Sequence, residues 1–188
     1  EPIEAATYLS NFSDLVRMIL NNSRQDLITL QTEVKTLNQY LDLQKLRFGD
    51  KFDYEIEEDE NLDLEGIFIP PMLAQPFIEN SIEHGFKGMK SKGLIQVCFK
   101  LIDSSIVLIC QDNGMGINAS IKEKEQQNKK YKSLATKITK DRIAVLNKVH
   151  KSNIQLEILD IKDIRNQGQG TRVEIKIPMN LKMEKEES

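Results

Sequence analysis

Pro70-Pro71-Met72-Leu73-Ala74-Gln75-Pro76-Phe77-Ile78-Glu79-Asn80-Ser81-Ile82-Glu83-His84-Gly85 is the stretch on which the reading of this chain turns. Its second half has the pattern of a helix. Pro76 suits a first helical position, because its φ is already helical and it has no N–H to leave unpaired. Phe77, Ile78, Ser81, Ile82 and Gly85 follow at i, i+1, i+4, i+5 and i+8, a core-facing stripe of apolar and small residues. Glu79, Asn80, Glu83 and His84 fall beside that stripe, placing an amide and three ionisable groups along one nearly buried edge. A helix that merely covers a surface has no need of such a cluster, so something polar is expected to lie there.

Two further pieces stand downstream. Gln111-Asp112-Asn113-Gly114-Met115-Gly116-Ile117 ends an apolar strand, and Gly168-Gln169-Gly170-Thr171 immediately precedes another. A glycine-rich turn after a strand is common on its own. In this order, however, the three pieces resemble the N, G1 and last glycine boxes of the GHKL (Bergerat) ATP-binding fold, shared by gyrase, heat-shock chaperones, histidine kinases and MutL. The flanking words narrow the likeness. Tyr40-Leu41-Asp42-Leu43-Gln44-Lys45-Leu46-Arg47-Phe48, Ile69-Pro70-Pro71-Met72-Leu73-Ala74-Gln75-Pro76 and Glu79-Asn80-Ser81-Ile82-Glu83-His84-Gly85 resemble the LytS/YehU class of sensor histidine kinases. The likeness runs from about residue 8 to about residue 178.

The resemblance implies ATP and Mg²⁺ as cofactors and gives each box a role. Asp112 would accept a hydrogen bond from the exocyclic amine of adenine and order a water that Thr171 shares. Gly114 and Gly116 would let the backbone approach the base, and Gly168 and Gly170 of the last glycine box would belong to the same cofactor-binding set. Read without the other boxes, Asp-Asn-Gly is a plain turn sequence. Asn80 would give its side-chain oxygen to Mg²⁺, which keeps several waters and needs only one or two protein oxygens; the alternative is a surface amide. Glu79 would orient a metal-bound water or take a proton, or else make an ordinary capping or ion-pair contact. His84, one turn after Asn80, would reach the phosphates or the nucleotide edge; the alternative is an ordinary satisfied polar residue. His150 ends a helix, where positive charge is favoured, and reads as structural.

The phosphate end departs from the family pattern. Its Gly-x-Gly-Leu element falls on Ser133 and Ala135, which lack the positive-φ freedom to wrap phosphates with backbone N–H groups. Glu83 stands where relatives often have Lys. Phosphate neutralisation is then left to Mg²⁺, Lys137, Lys140 and Arg142. Hydrolytic members carry a catalytic Glu four residues before the metal-binding Asn; here that position is Pro76, which cannot take a proton. A phosphotransferase fits better, since the protein then chiefly positions groups and neutralises charge.

The chain holds only two histidines, His84 and His150, and neither lies in the family's phosphoacceptor context. The resemblance therefore implies the catalytic part of a kinase whose acceptor histidine lies upstream, with a response regulator as the next partner and a homodimer as the working form of the intact protein. Two other readings stay open: a nucleotide-binding pseudokinase or interaction module with a degenerate lid, and a serine-directed kinase of anti-sigma type.

Composition agrees with a globular protein. The 188 residues are 39% hydrophobic and 29% charged, with a net charge of −3 and a pI near 5.6. That balance gives no reason to expect nucleic acid as a partner. No apolar run approaches the ~20 residues that a membrane helix needs, so no membrane contact is expected of this stretch, although the family typically places such a domain on the cytoplasmic side of a protein anchored in the bacterial inner membrane. Cys98 and Cys110 fall in neighbouring strands and read as reduced, buried thiols.

Leu9, Phe12, Val16 and Ile19 mark a first helix over 3–22, and Leu30, Val34, Leu37, Leu41, Gln44 and Phe48 a second over 30–48, capped by Thr29 and ended by Gly49. The second seam calls for another helix against it, unless both helices cover the domain's own sheet. Strand alternation follows at Phe52 to Ile56, in a hairpin turning at Asp103-Ser104, and at 154–158 and 173–177. The polar run 118–134 reads as either a disordered stretch or a functional lid, and Ile138, Ile143, Leu146 and Val149 mark a helix over 136–149. The expected architecture is a two-layer α/β sandwich, a mixed sheet with helices on one face. It divides into a helical segment at 1–49, a catalytic domain at 50–179 and a charged tail at 180–188.

Overall fold

Alternation along the strand Gly93–Ile102 decides which way the sheet faces. Ile95, Val97 and Phe99 are buried, whereas Gln96, Cys98 and Lys100 turn to the other side. The computed structural model describes residues 2–118, 134–164, 168–179 and 181, with the backbone alone at 2–5 and 134–135. Five strands form one sheet: β2 (Phe52–Glu58), β4 (Gly93–Ile102), β5 (Ser105–Asp112), β6 (Gln155–Asp160) and β7 (Thr171–Pro178). Their order is β2-β4-β5-β7-β6, with β2 and β4 parallel and the other neighbours antiparallel. The sheet is mixed, as expected.

A parallel pair cannot be joined by a tight turn. The crossover from β2 to β4 runs through β3 (Phe68–Ile69) and α3 (Gln75–Asn80), and it lays α3 on the buried face. β3 pairs antiparallel with β1 (Ile28–Thr29) in a separate two-stranded sheet. α1 (Pro2–Ser23), α2 (Leu30–Phe48) and α4 (Leu134–Val149) complete the helices, with a single helical turn, α5 (Ile161–Ile164), after β6. Thr29 caps α2 by accepting the Thr32 N–H at 3.2 Å, and Gly49, at φ +62°, ends it.

The seam on α2 does not wait for an external partner. Leu30, Val34, Leu37 and Leu41 join Phe52, Ile95, Phe99 and Ile175 in one core. The expected boundary at residue 49 therefore runs through shared packing, with α2 covering the domain's own sheet. α1 packs on α2 through Tyr8, Leu15 and Ile19. The stripe expected to anchor it mostly faces outward instead: Leu9, Phe12 and Val16 are 62%, 46% and 36% exposed. On α4, likewise, Ile143 and Leu146 are buried while Ile138 and Val149 are exposed.

The two cysteines lie on opposite faces of the sheet, because Cys110 pairs with Val97 and Cys98 with Ile109. Both are free thiols. Ser133, the Ala135 side chain and the lid between Asn118 and Leu134 lie outside the described residues, as does the tail from 182. No described helix is long and apolar enough to cross a membrane.

Candidate functional site

β5 delivers Asp112 to the buried face at its last residue. A carboxylate only 6% exposed needs donors, and it has three from separate parts of the chain. Oδ1 accepts the Gly114 N–H at 2.8 Å and the Thr171 N–H at 3.2 Å. Oδ2 accepts the Ser81 hydroxyl at 2.7 Å. Burial pushes its pKa up, with Asp160 adding to the push, and these three donors pull it back. A carboxylate offers about four lone-pair directions, so one on Oδ2 is left for an incoming donor.

The three sequence boxes thus meet at one carboxylate. Backbone contacts tighten the junction: the Met115 N–H donates to Gly85 O at 3.0 Å, and the Ile161 N–H to Gly170 O at 3.0 Å. Close approach explains two of the glycines. A Cβ on Gly114 would come within 2.6 Å of Gly85 O, and one on Gly170, at φ +134°, within 1.8 Å of Asp112 O. Gly116 lies against Asp160, and Gly168 is exposed near Ile161.

The helix bearing Asn80 differs from its expected form. α3 begins at Gln75, so Pro76 is its second residue, and the α-helix gives way at Ser81 to a π-turn, Ser81–Gly85. The Phe86 N–H reaches back five residues to Ser81 O at 3.0 Å. Such a bulge widens the turn and carries Gly85 to Met115. The polar edge is open where burial was expected: Glu79, Glu83 and His84 are exposed and Asn80 half-buried. Among the described residues the Asn80 amide makes no hydrogen bond, so its oxygen is free for a hard cation. Glu79 is held by one oxygen only, Oε1 accepting from Tyr40 Oη at 3.2 Å and Gln75 Nε2 at 3.0 Å.

Of the residues expected to meet phosphates, Lys137 and Lys140 are exposed on α4. Arg142 is half-buried. Burial lowers its pKa and the Glu33 carboxylate counters that, so its charge is felt at α2. Thr171 reaches Asp112 through its backbone N–H.

Sequence reasoning did not identify four residues that shape this site. Ser81 falls in the apolar stripe by its spacing, although a hydroxyl there is a polar signal. Asp160 is buried under the G1 turn, where Oδ2 accepts the Asn118 N–H at 3.0 Å. Glu33 and Tyr40 interrupt the buried face of α2, and a carboxylate in such a stripe is a signal in itself.

Comparison with known proteins agrees with the fold. A histidine kinase family model matches residues 1–52. The chain is 34% identical over 116 residues to the sensor protein LytS of Staphylococcus epidermidis, covering 62% of this chain and 19% of that protein. It is 26% identical over 179 residues to the sensor histidine kinase YpdA of Escherichia coli, covering 94% of this chain and 29% of that protein. The histidine kinase domain of a blue-light activated histidine kinase from Erythrobacter litoralis superposes with a TM-score of 0.58 at 16% identity, covering 92% of this chain and 75% of that one. The matched stretches thus span 19% and 29% of the length of these sequence relatives. Matches in sequence and in fold agree: the chain is similar to the LytS-type sensor histidine kinases and has the fold of a histidine kinase catalytic domain.

Proposed function

We propose that this chain is the ATP-binding catalytic region of a sensor histidine kinase. It serves transfer of the γ-phosphoryl group of Mg-ATP to a histidine outside the chain, and from there to a response regulator. The observation that carries this reading is the buried Asp112, which keeps one acceptor direction open while Ser81 ties it to the helical turn bearing Asn80.

When bound, Mg-ATP supplies the phosphoryl group and most of the charge neutralisation. The protein's task is placement. Asp112 accepts from the adenine amine, with Thr171 beside it, while Gly114 and Gly116 let the base lie close and Gly168 and Gly170 frame the pocket. Asn80 would give Mg²⁺ its amide oxygen, which no described residue hydrogen-bonds. Glu79, held through Oε1, would take up a proton or orient a water. His84, Lys137 and Arg142 supply positive charge or donors toward the phosphates. Pro76 leaves no proton acceptor four residues before Asn80, which favours phosphoryl transfer to a protein over hydrolysis.

In the intact protein we place this region on the cytoplasmic side of a membrane-anchored homodimer. Among the described residues, the outward stripe of Leu9, Phe12, Val16 and Leu20 on α1 is an apolar surface that supports a second copy.

Calorimetry with a non-hydrolysable ATP analogue tests the reading. Binding that strengthens on adding Mg²⁺ is expected, and a chain that binds nothing under either condition refutes it. Incubation with labelled ATP tests the roles: stoichiometric acid-labile phosphate on His84 or His150 overturns the assignment of the acceptor to another segment.

A further inference from the structure

Glu33 sits on the buried face of α2 with 1% exposure. Both of its oxygens accept the Met72 N–H, each at 3.0 Å, and the Leu73 N–H adds to the same grip. Met72 is held at φ +59°, a left-handed conformation that a residue with a side chain adopts only when its surroundings enforce it. Two turns further along α2, Tyr40 is buried with its ring in the core, and its hydroxyl donates to Glu79 Oε1 at 3.2 Å. Residues seven apart share a helix face. One face of α2 therefore holds the α3 segment twice, first at the lead-in and again at the residue beside Asn80.

We propose that Glu33 and Tyr40 are positioning residues that clip the lead-in and body of α3 to α2 and so set where Glu79 and Asn80 stand relative to Asp112. The inference rests on the nucleotide-site reading above. Packing alone does not explain these residues, because a buried carboxylate in an apolar face is disfavoured against a leucine of similar size. What the carboxylate supplies is a fixed place for two backbone N–H groups. α1 meets α2 between the two clips: Thr36 Oγ1 accepts from Asn22 Nδ2 at 3.0 Å and lies 3.0 Å from Met18 Sδ, while its own proton goes to Thr32 O at 2.7 Å. A shift of α1 along α2 thus reaches the metal side of the site through a single helix.

Tyr40→Phe keeps the core ring and removes only the hydroxyl, and Glu33→Gln keeps the shape and removes one strong acceptor. Each variant of the 188-residue chain is compared with wild type by melting temperature, by affinity for an ATP analogue with and without Mg²⁺, and by amide exchange over residues 72–85. For Tyr40→Phe, the Mg²⁺-dependent gain in affinity is expected to fall roughly fivefold, the scale of one ordinary hydrogen bond lost. Affinity without Mg²⁺, which reflects Asp112, stays unchanged, and exchange speeds up within 75–85. Glu33→Gln shifts the same two readouts, with faster exchange centred on 72–77. An unchanged Mg²⁺ dependence with unchanged exchange overturns the inference. So does an equal loss of both affinities in step with the melting temperature, which marks a general structural role. A wild-type chain that binds no nucleotide overturns the functional reading instead, and the clip is then decided by amide exchange alone.

Discussion

Replacing Asp112 with Asn separates what this carboxylate does for the fold from what it does for a ligand. Both backbone donors, Gly114 N–H and Thr171 N–H, end on Oδ1, while Oδ2 meets only the Ser81 hydroxyl. An Asn with its oxygen in the Oδ1 place keeps the two backbone bonds. Its amide nitrogen then faces Ser81, whose hydroxyl can turn to Phe77 O, 3.0 Å away, and accept from the amide. No buried donor or acceptor is orphaned. The variant also removes a buried charge whose protonation is favoured by burial, so its stability is expected within about 1 kcal/mol of wild type.

The ligand experiences the opposite. The one open acceptor direction becomes a donor and meets the adenine amine with another N–H. Losing a hydrogen bond to a charged acceptor costs about 1.5–3 kcal/mol, or roughly ten- to hundredfold in affinity. Calorimetry with an ATP analogue, alongside thermal unfolding, reads both quantities on one sample. Unchanged affinity in a folded variant removes Asp112 from adenine recognition. An unfolded variant refutes the argument that Oδ1 carries the structural bonds.

Glu33 links stability to pH. Burial pushes its pKa from 4.5 up to about 7, so the folded state keeps a proton that the unfolded chain releases, and stability falls as pH rises across that window. The loss is ~3 kcal/mol in order of magnitude; denaturant titrations at several pH values should show it in wild type and a flatter profile in Glu33→Gln. Gly170→Ala forces a Cβ onto Asp112 O at φ +134°, and a loss of about 2–4 kcal/mol with no remaining nucleotide binding is expected from unfolding curves and calorimetry. Excising residues 50–179 strips α2 from the core it shares with the sheet; circular dichroism and amide exchange should show a poorly folded chain, and a cooperative melt like that of the 188-residue protein refutes the shared-core argument. Leu41→Ala, at a fully buried position of α2, should lower stability by about 2–5 kcal/mol for the same reason.

The strands were legible because one physical rule governs them. Ile95, Val97 and Phe99 alternate with polar residues, and the register of β4 against β5 carries that alternation across the sheet. Helix faces were less so. α1 has apolar residues on two sides, and periodicity alone does not say whether Leu9 and Phe12 or Leu15 and Ile19 meet the neighbour. β1 and β3, with two residues each, are too short to alternate. Asp112, Gly114 and Gly170 were legible in their boxes, but Ser81, Glu33 and Tyr40 were not. Their partners lie 31 to 39 residues away in sequence, and no local pattern encodes such a meeting.

That contrast has a common cause in how each residue is constrained. A helix face needs only to be apolar, so many residues serve and the sequence says little about which one packs where. At the junction of the boxes the backbone itself comes into contact, and within 1.8 Å or 2.6 Å of a carbonyl oxygen there is no room for a Cβ. The donors that hold the buried Asp112 are the same groups that bring the boxes together, so the polarity of the pocket and the stability of its walls cannot be varied independently. α2 escapes this constraint. Its Glu33 and Tyr40 side chains hydrogen-bond the α3 segment, and on the inference above it is the element through which Glu79 and Asn80 shift while Asp112 stays fixed.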